Sequence, residues 1–297
     1  MSKEEVKGGF AKKLSAYFLF TKLRLASLVI LSAWASYLFA GGSDSKVTLF
    51  LLLGGLLTTA ASNGANQIWE KDLDKLMNRT KGRPLPAGNM SSAEAYATVV
   101  VTLIAGLVFL YLINVKCALL GLTAFVSYVF LYTPMKQKSS WAVFVGAFPG
   151  ALPTMIGAIA ATDEFGLLPG VLFFVQFVWQ FPHFWAIAWV INDDYAAAGF
   201  SLLPSSSGKS KASAFQIALY SLALIPFSLL PWLMGWTGTI SFIVAGLCSV
   251  VFFLIAYRLF ISLETADAKK LMFASFVYLP IIQFVYVLDK VDGFILK

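Results

Sequence analysis

The chain has 297 residues, 59% of them hydrophobic and 12% charged, with a formal net charge of +7. Soluble domains carry about 25% charged residues, so this composition excludes a soluble globular protein and predicts an all-α polytopic membrane protein surrounded by membrane lipid. The positive charge is scattered, with no basic run interleaved with aromatics, which excludes a nucleic-acid partner.

The 27 Phe, 11 Tyr and 8 Trp exceed what aromatic belts at the two membrane surfaces use, so some are expected to line a central cavity. Cys117 and Cys248 lack metal-type spacing and read as ordinary helix residues. The start M-S-K-E-E-V-K-G-G-F-A-K-K-L has no apolar core ending in a cleavage site, so the first span reads as a permanent anchor. A bacterial inner (plasma) membrane is the simplest location.

Runs of about 20 apolar residues predict about nine transmembrane helices, at 23–40, 47–68, 93–113, 116–133, 141–160, 167–190, 213–234, 239–260 and 271–288. With the N-terminus cytoplasmic, most Lys and Arg fall on that side, and only Lys46, Lys116, Lys290 and Lys297 lie outside. The positive-inside rule therefore sets the orientation, and an odd number of spans puts the C-terminus outside. One domain, 1–297, is expected, with an internal match suggesting four-helix pseudo-repeats at about 21–134 and 141–260 plus a final helix at 271–288.

In chain order, T-K-L-R sets Lys22 and Arg24 at the start of span 1, as an anion clamp or as a topology signal. The stretch N-G-A-N-Q-I-W-E-K-D-L-D-K-L-M-N-R-T-K-G-R-P-L-P (Asn63 to Pro86) continues span 2 without a break. Helix positions four apart share a face, so Asn66, Glu70 and Asp74 form one stripe, with Asn63 about a turn earlier and Asp72 opposite. A carboxylate at a bilayer centre costs about 2.5–3.5 kcal/mol, so acids continuing a membrane helix need a use. Mg²⁺ is held by one or two carboxylates plus substrate phosphate oxygens. Arg79, Lys81 and Arg83 follow at once and can take phosphate charge. The plainer alternative is a solvated helix end carrying positive-inside charges.

At the end of span 4, Y-T-P-M-K-Q-K offers Tyr132 and Lys136 to orient a phosphate or carboxylate, while Lys138 reads as a topology signal. G-A-F-P-G-A-L-P-T-M-I-G-A follows, and its small residues read as close helix packing. Span 6, W-Q-F-P-H-F-W-A-I-A-W-V-I-N-D-D-Y, carries the single histidine. At 100° per residue, Gln176, Gln180, His183 and Asp194 fall in one arc with Trp179 at its edge, and such a row must face the protein interior. Pro182 can kink this helix and shift the register. Of the adjacent pair, Asp194 is expected inward and Asp193 outward, with the reverse left open by the loop past Val190.

Two acidic helix ends at one membrane surface, ringed by Arg and Lys above an aromatic cavity, make a site for Mg²⁺–diphosphate. A prenyl diphosphate suits both halves: its head is held at the interface and its chain lies in the bilayer. Mg²⁺ and the cations would draw off the leaving diphosphate. Aromatic faces would shield the allylic cation until an electron-rich acceptor attacks it. The rival class is a cation-coupled transporter. Transport needs a site reachable from both sides, near the midplane, whereas these acids cluster at one surface.

N-x-x-x-E-x-x-x-D followed by R-T-K-G-R-P-L-P resembles the first signature of the UbiA superfamily of intramembrane prenyltransferases. T-K-L-R, Y-T-P-M-K, G-A-F-P-G-A-L-P-T-M-I-G, W-Q-F-P-H-F-W-A-I-A and D-D-Y-A-A-A-G-F-S-L-L-P, in order from about Thr21 to Pro204, are similar to its heme-farnesylating branch. The resemblance implies farnesyl diphosphate and protoheme IX as substrates, Mg²⁺ as cofactor, and a product passed to a heme A synthase or to terminal-oxidase assembly. Within it, Asn66, Glu70, Asp74, Asp193 and Asp194 are the implied metal set, with Asn66, Glu70, Asp74 and Asp194 catalytic. Arg79, Lys81, Arg83, Lys22, Arg24, Tyr132 and Lys136 are expected around the diphosphate. His183, Trp179, Gln180 and Tyr195 are expected in the heme pocket.

The chain departs from the pattern at four places. Glu70 stands where the superfamily usually has Asp, and Trp189 where many members have an acid. Ile191 and Asn192 stand where a basic residue is common, and Leu23 where proline is. The nearest rival acceptor is a quinone-precursor ring.

Overall fold

Within a bilayer a chain must satisfy its backbone polar groups internally, which leaves helices for apolar runs of this length. The computed structural model describes residues 13–293, without the side chains of residues 23–25. The Arg24 side chain and the terminal lysines therefore lie outside the described residues.

The helices are α1 (Lys13–Thr21), α2 (Leu23–Phe39), α3 (Ser45–Trp69), α4 (Lys71–Asp74), α5 (Ser92–Tyr111) and α6 (Val115–Val126), followed by a π-helical segment, Ser127–Tyr132. Then come α7 (Thr133–Met135), α8 (Ala142–Thr162), α9 (Leu167–Val190), α10 (Asn192–Ala197), α11 (Lys211–Ser228), α12 (Leu230–Leu233), α13 (Thr239–Ser262) and α14 (Thr265–Leu288). Among the described residues eight helices are long and apolar enough to cross a membrane, and the bent pair α1/α2 makes a ninth if taken as one span.

The long helices pack in sequence, α2 on α3, α3 on α5, and so through α6, α8, α9, α11 and α13 to α14, which returns to α2 and closes the ring. α2 also packs on α8, and α9 on α14, across the interior. Most of α8 and α9 is buried (72% of each apolar window), whereas α5 and α13 turn most of their surface outward (22% and 28% buried). The outward side chains include Val101, Leu119, Leu247 and Ile261, which is how a lipid-facing surface reads. The small-residue segment of α8 accounts for the central packing. A Cβ on Gly157 would stand 1.9 Å from the Ala33 carbonyl oxygen of α2, so only glycine lets these two backbones meet.

The elements differ from simple apolar runs in four places. Span 1 bends by 49° between α1 and α2, at Lys22, which holds a left-handed conformation (φ 49, ψ 48). Span 4 widens into a π turn before Pro134, which has no N–H to give and whose ring needs room beside the preceding turn; the N–H and the hydroxyl of Thr133 both donate to the Tyr128 carbonyl. Span 7 breaks at Leu229 ahead of Pro231. α9 runs without interruption through Pro182, so the Gln–Gln–His arc is kept. It stops at Val190, however, and Asp193 and Asp194 belong to the separate α10.

Candidate active site

The polar end of the bundle is assembled on the last turns of α3. The Asn63 amide donates to the Thr21 carbonyl (3.4 Å) and the Gln67 amide to the Phe20 carbonyl (2.6 Å), which ties the bend between α1 and α2 to α3. The bend carries half-buried Lys22 into electrostatic range of Arg83, Lys136, Arg79 and Glu70. A non-glycine residue held left-handed costs about 1–3 kcal/mol, and at Lys22 that strain serves to aim a cation.

Glu70 caps α3, yet the helical bonds continue through it: its N–H donates to the Asn66 carbonyl (2.9 Å) and that of Asp74 to the Glu70 carbonyl (2.8 Å). The stripe therefore stays in register, with Asn66, Glu70 and Asp74 all buried, while Asp72 points outward and pairs with Lys75 at 2.7 Å. Each buried acid has its own cation. Lys136 reaches Glu70 at 2.8 Å, and one nitrogen of Arg83 donates to both Asp74 oxygens at 2.8 and 2.7 Å. Burial pushes the Asp74 carboxyl above its ordinary range, with Arg83 pulling back the other way. For Lys136, burial is the largest single influence and favours the neutral amine, but the Glu70 carboxylate together with Tyr128 and Tyr195 outweighs it, and the ammonium is held above its ordinary value.

The Asn66 amide orientation follows from its partner. The single Thr133 hydroxyl proton goes to the Tyr128 carbonyl, so Thr133 Oγ1 can only accept from Asn66 Nδ2, at 3.1 Å. Asn66 Oδ1 is then left as an acceptor without a hydrogen-bond partner among the described residues. This oxygen and the two carboxylates form a hard, buried donor set of the size Mg²⁺ takes when phosphate oxygens complete its shell. The two acids are matched by Lys136 and Arg83. Lys22, whose pKa burial and the neighbouring Arg83 and Lys136 push down to about 7, adds up to one further positive charge, which suits a metal-bound diphosphate. The donor chemistry therefore fits Mg²⁺.

The second acidic motif is built differently from the expectation. Asp194 does not point at the stripe: its two oxygens accept from the backbone N–H groups of Asn78 (3.2 Å) and Arg79 (3.1 Å) in the loop after α4. Asp193 has a side chain 94% exposed and pairs loosely with Lys209 at 3.8 Å. Among the described residues no group of three or more His, Cys, Asp or Glu is gathered around a common metal position. Of the five residues expected around a metal, Asn66, Glu70 and Asp74 lie together on the buried stripe, while Asp193 and Asp194 sit on α10 with other partners. The cause is the break at Ile191 (φ −108, ψ 26), which swings α10 off the α9 arc. The Asp194 bonds do join the ends of α3/α4 and α9/α10 at one face of the bundle.

The other expected residues divide between the two ends of the site. Arg79 and Lys81 have exposed side chains, with Lys81 donating to Asn78 Oδ1 at 3.0 Å; only Arg83 of that loop reaches the buried acids. Tyr132 is buried, with Lys136 Nζ 4.7 Å from its ring centroid. Tyr195 lies in electrostatic range of Tyr132 and Lys136 and packs edge-on against Phe200, which puts it at the acidic end rather than beside His183.

A line of aromatic rings leads from the acids inward. Tyr132 packs on Phe184 (centroids 6.3 Å), Phe184 on His183 (5.7 Å), and His183 is stacked on Trp179 at 4.3 Å. His183 Nδ1 meets Ser275 Oγ of α14 at 2.7 Å. Deeper still, Gln176 and Gln180 both donate to the Gly150 carbonyl (2.7 and 3.0 Å), and Gln283 donates to Gln176. A Cβ on Gly150 would stand 2.7 Å from the Gln180 amide nitrogen, so a larger residue here would displace the amide from its bond to the Gly150 carbonyl. Thr133, Ser275 and Gln283 have no counterpart among the residues expected from sequence. Thr133 was within reach in Y-T-P-M-K, whereas Ser275 and Gln283 sit in an apolar run with no local signal.

Three kinds of comparison bear on this site. The family model described as UbiA prenyltransferase family matches residues 28–278. A protoheme IX farnesyltransferase of Cytophaga hutchinsonii is 47% identical over 284 residues, covering 95% of this chain and 99% of the relative. That of Christiangramia forsetii is 46% identical over 296 residues, with 98% of each chain covered. Among solved structures, a digeranylgeranylglyceryl phosphate synthase superposes with a TM-score of 0.77 at 17% identity, covering 93% of this chain and 98% of the other. A UbiA homolog from Archaeoglobus fulgidus bound to DMAPP and Mg²⁺ gives a TM-score of 0.70 at 17% identity, covering 91% and 98%.

Proposed function

This chain belongs to the UbiA prenyltransferase family, and we propose that it transfers the farnesyl group of farnesyl diphosphate to a vinyl group of protoheme IX, giving heme O and diphosphate. The observation that carries the reading is the self-paired acidic end, Asn66/Glu70/Asp74 with Lys136 and Arg83, joined by Tyr132 and Phe184 to His183. Naming of close relatives as protoheme IX farnesyltransferases supports the acceptor.

Asn66 Oδ1 and the Glu70 and Asp74 carboxylates would hold Mg²⁺, which supplies Lewis-acid charge to a leaving diphosphate. Arg83, Lys136 and Lys22 bind phosphate oxygens, with Arg83 and Lys136 trading a carboxylate partner for a phosphate one. Asp194 holds the Asn78–Arg79 backbone and so shapes the loop over the head group. The C1–oxygen bond of farnesyl diphosphate breaks and its electrons leave with diphosphate. The faces of Tyr132 and Phe184 stabilise the allylic cation, an attraction worth about 2 kcal/mol or more in a desolvated site. The vinyl carbon then attacks C1, and water adds to the cation left next to the ring and gives up one proton to the released diphosphate, leaving the hydroxyethylfarnesyl substituent. His183, Trp179 and Gln180 line the acceptor side. The cytoplasmic side of a bacterial inner membrane is the location this chemistry and the Lys/Arg distribution support.

The test is a pyridine hemochrome spectrum with mass analysis of hemes from cells with and without the protein. Heme O appearing only with the protein is the expected result, and equal heme O in both would remove the assignment. Diphosphate release from farnesyl diphosphate that needs Mg²⁺ and heme separates this enzyme from a transporter and from a prenyltransferase with another acceptor.

A further inference from the structure

The His183 ring is buried among aromatics, stacked face-on with Trp179 and met edge-on by Phe276 at 5.0 Å. Its hydrogen bond to Ser275 has a determined direction. Ser275 Oγ lies 2.6 Å from the Met272 carbonyl, one turn earlier on α14, and a carbonyl can only accept. The one hydroxyl proton is therefore spent on Met272, and the 2.7 Å contact to His183 must be donated by Nδ1–H. This locks one tautomer. Nε2 is left unprotonated, with its lone pair free and no hydrogen-bond partner among the described residues. The indole N–H of the stacking Trp179 is likewise buried and unpartnered.

A histidine that donates Nδ1–H to an oxygen and keeps a bare Nε2 in an apolar cleft is arranged as metal-ligating histidines are, where the outer partner sets tautomer and ring orientation. No carboxylate faces it: its ring is surrounded by Trp179, Phe184, Phe276 and Ser275, so nothing supports a protonated ring. Resting on the acceptor being a heme, we propose that Ser275 is a positioning residue, which through His183 Nδ1 aims the Nε2 lone pair at the iron of the acceptor porphyrin. Iron ligation on the line Tyr132–Phe184–His183 would hold the macrocycle at a fixed distance from the departing diphosphate.

The experiment uses the full-length protein in detergent, titrated with heme and examined in the ferrous state by resonance Raman spectroscopy. Binding of Mg²⁺ with inorganic diphosphate, measured by calorimetry, serves as the fold control. Wild type is expected to show an iron–histidine stretching band, and His183→Ala to lose it. Ser275→Ala should shift the band to lower frequency and weaken heme binding about tenfold or more, the usual cost of losing such an outer partner. Ser275→Thr, which keeps the hydroxyl, should restore both, with diphosphate binding unchanged throughout.

An unchanged band and affinity in Ser275→Ala would return Ser275 to packing and overturn the proposal while leaving the heme reading intact. A band surviving in His183→Ala would overturn it by assigning the iron another ligand. If Ser275→Ala also loses diphosphate binding, Ser275→Thr decides, and a band still displaced there rejects the tautomer lock. A wild type that binds no heme removes the proposed acceptor, and this inference with it.

Discussion

Replacing Lys136 by methionine leaves Glu70 buried without its hydrogen-bonded counter-charge. The two side chains are 10% and 4% exposed and stand 2.8 Å apart. At an effective dielectric constant of about 20, that separation corresponds to a gross attraction of about 6 kcal/mol. Removing one partner of a buried pair costs about 3–5 kcal/mol, because the remaining charge stays desolvated. The lost contact with the Tyr132 ring, 4.7 Å from Nζ, adds about 1 kcal/mol. In a chain of this length the variant should unfold on the order of 10 °C lower, read by tryptophan fluorescence in detergent at one fixed scan rate. The double variant Glu70→Gln with Lys136→Met has no charge left to strand, so it should recover most of the loss and be clearly more stable than the single variant. Mg²⁺ should raise the melting point of Lys136→Met more than that of wild type, since there it meets an unpaired carboxylate. A single variant that melts like wild type, or a double variant no better than the single, would refute the self-paired site.

Asp74 is held above the ordinary carboxylate range by burial, so Mg²⁺–diphosphate binding should weaken as pH falls through a value above about 3.9. The sign follows because a proton on Asp74 removes both a metal oxygen and the partner of Arg83. Asp74→Asn should abolish both the binding and this pH step, and calorimetry showing a wild-type loss only below pH 4 would contradict the burial argument. Asp194→Asn keeps one neutral acceptor oxygen and loses the other, so one of two charge-assisted bonds to the loop, worth about 1.5–3 kcal/mol, disappears and the second is weakened. It should speed amide hydrogen exchange at Asn78 and Arg79 by tenfold or more while sparing Mg²⁺ affinity, whereas a tenfold loss of Mg²⁺ affinity would make it a metal ligand. Arg83→Gln should raise the KM for farnesyl diphosphate by about 10–100-fold, and an unchanged KM would leave Arg83 only as the counter-charge of Asp74.

Much of this protein follows from order along the chain alone. Apolar runs of about 20 residues can only become helices in a bilayer, so the long spans were legible before any tertiary contact was known, apart from the bend that divides span 1 and the early start of the last helix at Thr265 rather than 271. The Asn66–Glu70–Asp74 stripe was legible for a related reason: residues four apart share a helix face wherever the helix continues, and here the backbone bonds run on through Glu70. The family likewise lay in ordered motifs. The directions of Asp193 and Asp194, and the side of the site on which Tyr195 falls, were decided by a break at Ile191 that no periodicity predicts. Which cation answers which acid, and which oxygen of Asn66 is free, were decided by Lys136 and Thr133 arriving from a π turn more than sixty residues away. The proton on His183 was decided further off still, by a serine and a carbonyl on the last helix. Local sequence sets helix faces because backbone geometry is local. A buried hydrogen bond or ion pair has a partner and a direction only once separate helices have packed and water has been removed from between them.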